Sequence, residues 1–179
     1  MKIRTISPQA FDDVRSALND LLLDTVAHGA SVGFLASIDG DEAGAYWGSV
    51  EAALADGSRV LLAAEANGLV VGSVQLDLCQ RKNGRNRAEV QKLIVHSAAR
   101  RRGIASALMK AIEEEALARE RGVLFLDTEA GAPAETLYRA LGYTHIGGIP
   151  EYACTPAGSW TSNAIYYKTL FTRESAGQA

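Results

Sequence analysis

The sequence predicts a single α/β domain: a mixed sheet of about seven strands, antiparallel in its first half, with a central parallel pair and helices on both faces. Two observations carry that prediction. The first half of the chain holds short apolar segments punctuated by Asn67-Gly68 and Asn83-Gly84, the signature of antiparallel hairpins. From Arg87 onward the pattern changes to strand, helix, strand, helix, which needs a parallel crossover. At 179 residues, with no internal repeat and no low-complexity stretch, one domain over residues 1–170 is expected.

Taken in order, Lys2 to Ile6 alternates and reads as a short strand. Ser7-Pro8 reads as the start of a helix, with serine at the N-cap and proline at the first helical position. Phe11, Val14, Leu18, Leu21 and Leu22 then recur at helical spacing, and Gly29 ends the run. His28 to Gly44 is irregular and glycine-rich, and reads as a loop with a functional role rather than packing. A second helix is expected from Glu42 to Asp56, stopped by Gly57. Val60–Glu65 and Leu69–Cys79 form the plainest hairpin, and Arg87–Val95 is the next strand. Ile104, Leu108, Ile112 and Ala116 give an amphipathic helix over 104–121, ended by Gly122. Val123–Asp127 is an apolar run short enough for a buried parallel strand. Pro133–Ala140 reads as a short helix stopped by Gly142, and Tyr143–Ile149 and Asn163–Thr169 as the last strands. Tyr46, Trp47 and Trp160 read as packing, and the polar tail, residues 171–179, as frayed.

Composition narrows the function classes. A net charge of −3 lacks the basic excess of a nucleic-acid binder. The only dense basic stretches are Arg81–Arg87 and Arg100–Arg102. Two cysteines, Cys79 and Cys154, fit a reduced cytoplasmic setting better than a disulfide framework. His28, His96 and His145 are scattered, so no metal site is expected. The N-terminus lacks an apolar leader, and no run is long and apolar enough for a membrane.

The run Val90 to Met109 is the most informative. A buried strand feeds through Arg100-Arg-Arg-Gly103 straight into a helix, so the first N–H groups of that helix point out without partners. Three arginines stand beside them, and Gly103 admits a ligand close to the backbone. That arrangement suits a phosphate or diphosphate.

Arg100-Arg-Arg-Gly-Ile-Ala105 and, further on, Tyr138-Arg-Ala-Leu-Gly-Tyr143 together resemble two motifs of the GNAT superfamily of acetyl-CoA-dependent N-acetyltransferases. A likeness over nearly the whole chain to the tabtoxin-resistance acetyltransferases of that superfamily rests on His28–Phe34, Leu78–Gln80, Asn86–Leu93, Leu126–Gly131 and Ala164–Leu170. Many superfamily members carry an asparagine seven residues before the tyrosine; this chain has Gly131 there.

The resemblance implies acetyl-CoA as co-substrate, a small-molecule amine as acceptor and, often, a homodimer. The amides of Arg101, Arg102, Gly103, Ile104, Ala105 and Ser106, with Arg100, would cradle the diphosphate. The backbone of Leu93, Ile94 and Val95 would hold the pantetheine arm, with an N–H of Leu93 or Ile94 polarising the thioester. Tyr138 matches the residue usually cast as acid to the leaving thiolate. By two-residue alternation, Glu89 and Gln91 share a strand face with Leu93, which makes Glu89 a candidate base, acting directly or through water. Asp127, at the end of a buried strand where α/β sheets open their crevices, is a second candidate for the ammonium or the base role. His28, Ser31, Phe34, Gln80 and Gln91 are the expected acceptor contacts. Two other readings stay open: a protein or peptide N-acetyltransferase, and a silent acetyl-CoA-binding module.

Overall fold

A computed structural model of the chain describes residues 1–173. Its centre is a seven-stranded sheet in the order β1-β2-β3-β4-β5-β9-β6, with β1 Lys2–Thr5, β2 Arg59–Ala66, β3 Leu69–Leu78, β4 Arg87–Val95, β5 Val123–Glu129, β6 Thr144–Gly147 and β9 Asn163–Thr169. All neighbours are antiparallel except β4 and β5. A separate two-stranded hairpin pairs β7 (Ala153–Cys154) with β8 (Trp160–Thr161). Sequence periodicity misses this hairpin, because two-residue strands are too short to alternate.

The expected mixed sheet with helices on both faces is present. Helices α1 (Asp12–Ala27) and α2 (Gly40–Ala55) cover one face, where Leu18, Leu21, Leu22 and Trp47 pack on Leu61, Ala63 and Ile94. Helices α3 (Ile104–Ala118) and α4 (Ala134–Ala140) cover the other, where Leu108, Ile112 and Tyr138 meet Leu62, Val74, Leu76 and Val90. Each large apolar side chain buried this way stabilises the fold by about 1.5–3 kcal/mol.

Several boundaries move. Ser7 does cap, accepting from the Ala10 N–H, but it caps a single 3-10 turn, and α1 begins only at Asp12. The irregular segment is shorter than expected: Asp39 accepts from the Glu42 N–H and starts α2 at Gly40. Asn67 (φ 52) and Gly68 (φ 78) form the tight turn that their sequence predicts. The last turn of the 104–121 helix unwinds, and Arg121 and Gly122 lead into β5. The run 143–149 yields only the strand Thr144–Gly147. The tail is tied down at its start, since Arg173 donates to the Asn86 side chain at 2.8 Å. The remainder of the predicted frayed tail, 174–179, lies outside the described residues.

Candidate active site

The site begins as a fault in the sheet. Toward β3, β4 is paired from Ala88 to Val95. Toward β5 only Arg87, Ala88 and Glu89 are paired, with Val123, Leu124 and Phe125. Past Glu89 the two strands part, leaving that edge of β4 without a sheet partner as far as Val95. The Val95 carbonyl is taken up by the Arg100 side chain, with Nε at 3.2 Å.

A β-bulge accompanies the parting. Ser73 pairs with Ile94 and Gln75 with Gln91, so Val74 faces two residues, Lys92 and Leu93. Lys92 absorbs the extra residue with a left-handed backbone (φ 48). The bulge reverses the alternation beyond it. Leu93 and Val95 pack against the α3 core, while Ile94 joins the α1/α2 core. The expectation that Leu93 shares a face with Glu89 and Gln91 is therefore incorrect; Lys92 takes that side.

The candidate donor side lies where β4 leads into α3. Gly103 is the N-cap of α3 at φ 77, with no capping side chain and no acidic residue in the first turn. The first helical bond runs from Ala107 N–H to the Gly103 carbonyl at 3.0 Å, so the N–H groups of Ile104, Ala105 and Ser106 have no helix partner. Arg101 is left-handed too (φ 63), and Arg100, Arg101 and Arg102 are exposed. A Cβ on Gly103 would meet nothing within 4 Å, so the space before these amides is open. Free amides, helix dipole and guanidinium groups together suit a diphosphate, and the unpaired β4 edge suits a chain of amides.

The candidate acceptor side is on the α1/α2 face. Glu89 is half-buried there, and burial raises its pKa above the ordinary glutamate range; Gln91 opposes this by a hydrogen bond, and the charges of Asp127 and Asp77 add to it. Asp127 is exposed on β5, which continues to Glu129 rather than ending at Asp127 as expected, and it accepts from Asn163 Nδ2 at 3.3 Å. Burial lowers the pKa of Lys92, as does the positive charge of Arg59; Asp127 and Glu89 act the other way. Tyr152, not singled out in the sequence, faces the same carboxylates: Asp127 first, then burial and Glu89, raises its phenol.

On the opposite face, Tyr138 is 6% exposed, its ring tilted against those of Tyr143 and Tyr166 with centroids 6.0 and 5.8 Å away. Burial, with a lesser effect of Asp127, pushes its pKa to about 12. The helix that carries it is anchored by Glu135, which accepts from the Gly131 N–H and the Arg139 guanidinium, both at 2.7 Å, and from the Tyr166 hydroxyl. Gly131, at φ 81, thus supplies a backbone N–H to this anchor.

The expected acceptor contacts divide. Phe34 packs edge-on against Tyr46, centroids 5.3 Å apart, beside Lys92. Gln91 stands close enough to Glu89 to lower its pKa. Ser31 reaches the Cys154 carbonyl at 3.5 Å, and Ala36 N–H donates to the Pro156 carbonyl at 2.9 Å, so the 28–39 segment and the β7–β8 hairpin are joined. His28 turns elsewhere: its Nδ1 lies 2.7 Å from the Asp24 carbonyl and 3.2 Å from the Asp24 carboxylate. Gln80 is exposed and folds back on the Leu78 carbonyl at 2.8 Å. Neither joins the carboxylates. Of the aromatics read as packing, Trp47 is buried and Tyr46 packs against the same α1/α2 core with its hydroxyl bonded to Gln75, whereas Trp160 is 65% exposed. Among the described residues no group of His, Cys, Asp and Glu could hold a metal ion, and no helix is long and apolar enough to cross a membrane.

The sequence pattern of the acetyltransferase (GNAT) family matches residues 21–143, more than half of the chain. The protein belongs to the GNAT acetyltransferase family. Members use acetyl-CoA as acyl donor, which the donor side described above fits. The fold recurs in YncA of Salmonella typhimurium, solved with acetyl-CoA (20% identity, TM-score 0.79, covering 100% of this chain and 99% of that one). It recurs in a ribosomal-protein-alanine N-acetyltransferase from Brucella melitensis (25% identity, TM-score 0.78, 95% and 100% covered). A third likeness is to an aminoglycoside 6'-N-acetyltransferase complexed with coenzyme A (19% identity, TM-score 0.74, 98% and 100% covered).

Proposed function

We propose that this GNAT protein is an acetyl-CoA-dependent N-acetyltransferase of a small-molecule amine, working by direct attack in a ternary complex. The observation that supports this most is the opening between β4 and β5: carboxylates stand on one face of it and a buried tyrosine on the other. A donor laid along the β4 edge and an acceptor on the α1/α2 face would meet through that opening.

An amine attacks only when neutral, and α-amino and lysine-type amines have pKa values of about 8 and 10.4. Glu89, raised above its ordinary range by burial, is the base, directly or through water; Asp127 holds the ammonium. A β4 amide at Leu93 or Ile94 polarises the thioester carbonyl. The amine nitrogen forms the amide bond, the carbon–sulfur bond breaks, and coenzyme A leaves as thiol. Tyr138, near 12, donates a hydrogen bond to the sulfur. Handing over its proton outright to a thiolate of pKa about 8.5 would be uphill by roughly 5 kcal/mol. Its role is to stabilise developing charge, with solvent supplying the proton.

The join between the 28–39 segment and the β7–β8 hairpin favours a compact acceptor. The tabtoxin-resistance likeness makes an amino-acid-like toxin or antibiotic the acceptor of choice. The Brucella neighbour favours a second reading, a protein N-terminus as acceptor. Two free cysteines and an intracellular thioester donor fit a cytoplasmic enzyme. The test is thiol release from acetyl-CoA across a panel of amino acids, polyamines, aminoglycosides and peptides, alongside thermal shift with acetyl-CoA. Stabilisation by acetyl-CoA and turnover of a small amine are expected. No shift removes the donor assignment, and turnover of peptides alone selects the second reading.

A further inference from the structure

Lys92 is an unusual place for a cation. It sits in the bulge of β4 with a left-handed backbone, which a lysine adopts only when its surroundings hold it there. The bulge turns its side chain off the α3 face and onto the acceptor side. There its Nζ lies 5.6 Å from the centre of the Tyr46 ring and 5.9 Å from that of Phe34. Gly33, at φ 90, passes so close that a Cβ on it would stand 3.3 Å from Nζ. The 28–39 segment is thus shaped around the ammonium.

The walls are themselves braced. The Tyr46 hydroxyl accepts from Gln75 Nε2 at 2.8 Å, and Gln75, 0% exposed, accepts from Arg59 Nη1 at 3.0 Å. Arg59 is neutralised by Asp77 at 2.5 Å. Lys92 is not: among the described residues it makes no ion pair. Glu89 and Asp127 act on it through space without touching it. A half-buried ammonium beside ring faces, with no carboxylate in contact, has N–H donors to offer an anion.

We infer that Lys92 is the residue that reads the acceptor: it docks a carboxylate carried on the same small molecule as the amine. This rests on the acetyltransferase reading above and narrows it. The ammonium end of the acceptor faces Glu89 and Asp127, and the carboxylate end faces Lys92. From Glu89 to Lys92 the strand advances roughly 10 Å at about 3.3 Å per residue, and both side chains are long enough to converge on one compact zwitterion. Polycationic amines have nothing to offer Lys92 and add charge beside it.

The experiment uses matched acceptors: amino acids, their carboxamides and their decarboxylated amines, assayed with the full chain. Wild type is expected to favour the carboxylate member by at least tenfold in kcat/KM. Lys92→Gln should bring that preference within about twofold by raising the KM of the carboxylate member alone, with the KM for acetyl-CoA unchanged. Lys92→Arg should keep most of the preference, and an unaltered acetyl-CoA thermal shift checks that each variant is folded. If polyamines or aminoglycosides are turned over as well as amino acids, the enzyme reading stands and this inference is overturned. An equal loss on the acid and its amide in Lys92→Gln also overturns it. So does mass-spectrometric acetylation of Lys92 by acetyl-CoA alone. Absence of acetyl-CoA binding fails the underlying reading instead.

Discussion

The two halves of the proposed site are built from different material. The donor half is one continuous stretch, from the unpaired edge of β4 to the first turn of α3, and its working groups are backbone amides. The acceptor half draws single side chains from distant places: Phe34 from the 28–39 segment, Tyr46 from α2, Glu89 and Lys92 from β4, Asp127 from β5 and Tyr152 from the chain before β7. Backbone groups need only a local conformation, so a short motif encodes them. Side chains brought together by tertiary packing leave no short motif. A donor common to a family and an acceptor that varies fit this division.

Substitutions should separate the halves. Glu89→Gln carries the largest expected effect, a fall of about 10²-fold or more in kcat/KM, since positioned base catalysis contributes of that order. Because burial raises the Glu89 pKa, the base form is lost as pH falls through a value above the ordinary glutamate range. The wild-type pH profile of kcat/KM should bend down on that acid side, and the bend should be missing in Glu89→Gln; a bend kept in the variant removes Glu89 as base. Tyr138→Phe should lower kcat by about tenfold while leaving acetyl-CoA affinity near wild type, as loss of one charge-stabilising hydrogen bond implies. Steady-state kinetics beside isothermal titration would show this, and an unchanged kcat excludes the hydroxyl. The smallest effect belongs to Gly103→Ala. Its left-handed backbone strains any side chain by about 1 kcal/mol or more, so the KM for acetyl-CoA should rise about fivefold with acceptor preference unmoved. A changed acceptor preference there would break the division between halves.

The same division explains what the sequence could say. Arg87–Val95 and Asn163–Thr169 are strands over the residues that their patterns mark, because period-two burial and turn residues act locally. The uncapped start of α3, with its unpartnered amides, is legible for the same reason. The bulge was not: nothing in Gln91-Lys92-Leu93 announces an extra residue, and lysine is not a residue that marks left-handed backbone. Missing it put Leu93 on the wrong face and hid Lys92. Gln75, a buried polar residue in β3, and Tyr152, outside any periodic element, have meaning only through partners far away in the chain. His28 and Gln80 looked chemically apt, but each satisfies itself on nearby backbone.

The three residue pairs that join β4 to β5 have a practical consequence. The ladder β5-β9-β6 is complete without β4, and it meets the rest of the chain across those three pairs and through one shared apolar core. A polypeptide cut between Glu120 and Arg121 would therefore yield two pieces, each with an intact ladder and neither with both Glu89 and Asp127. Fused to a pair of interacting proteins, such pieces would act as a split reporter, regaining thiol release only when reunited.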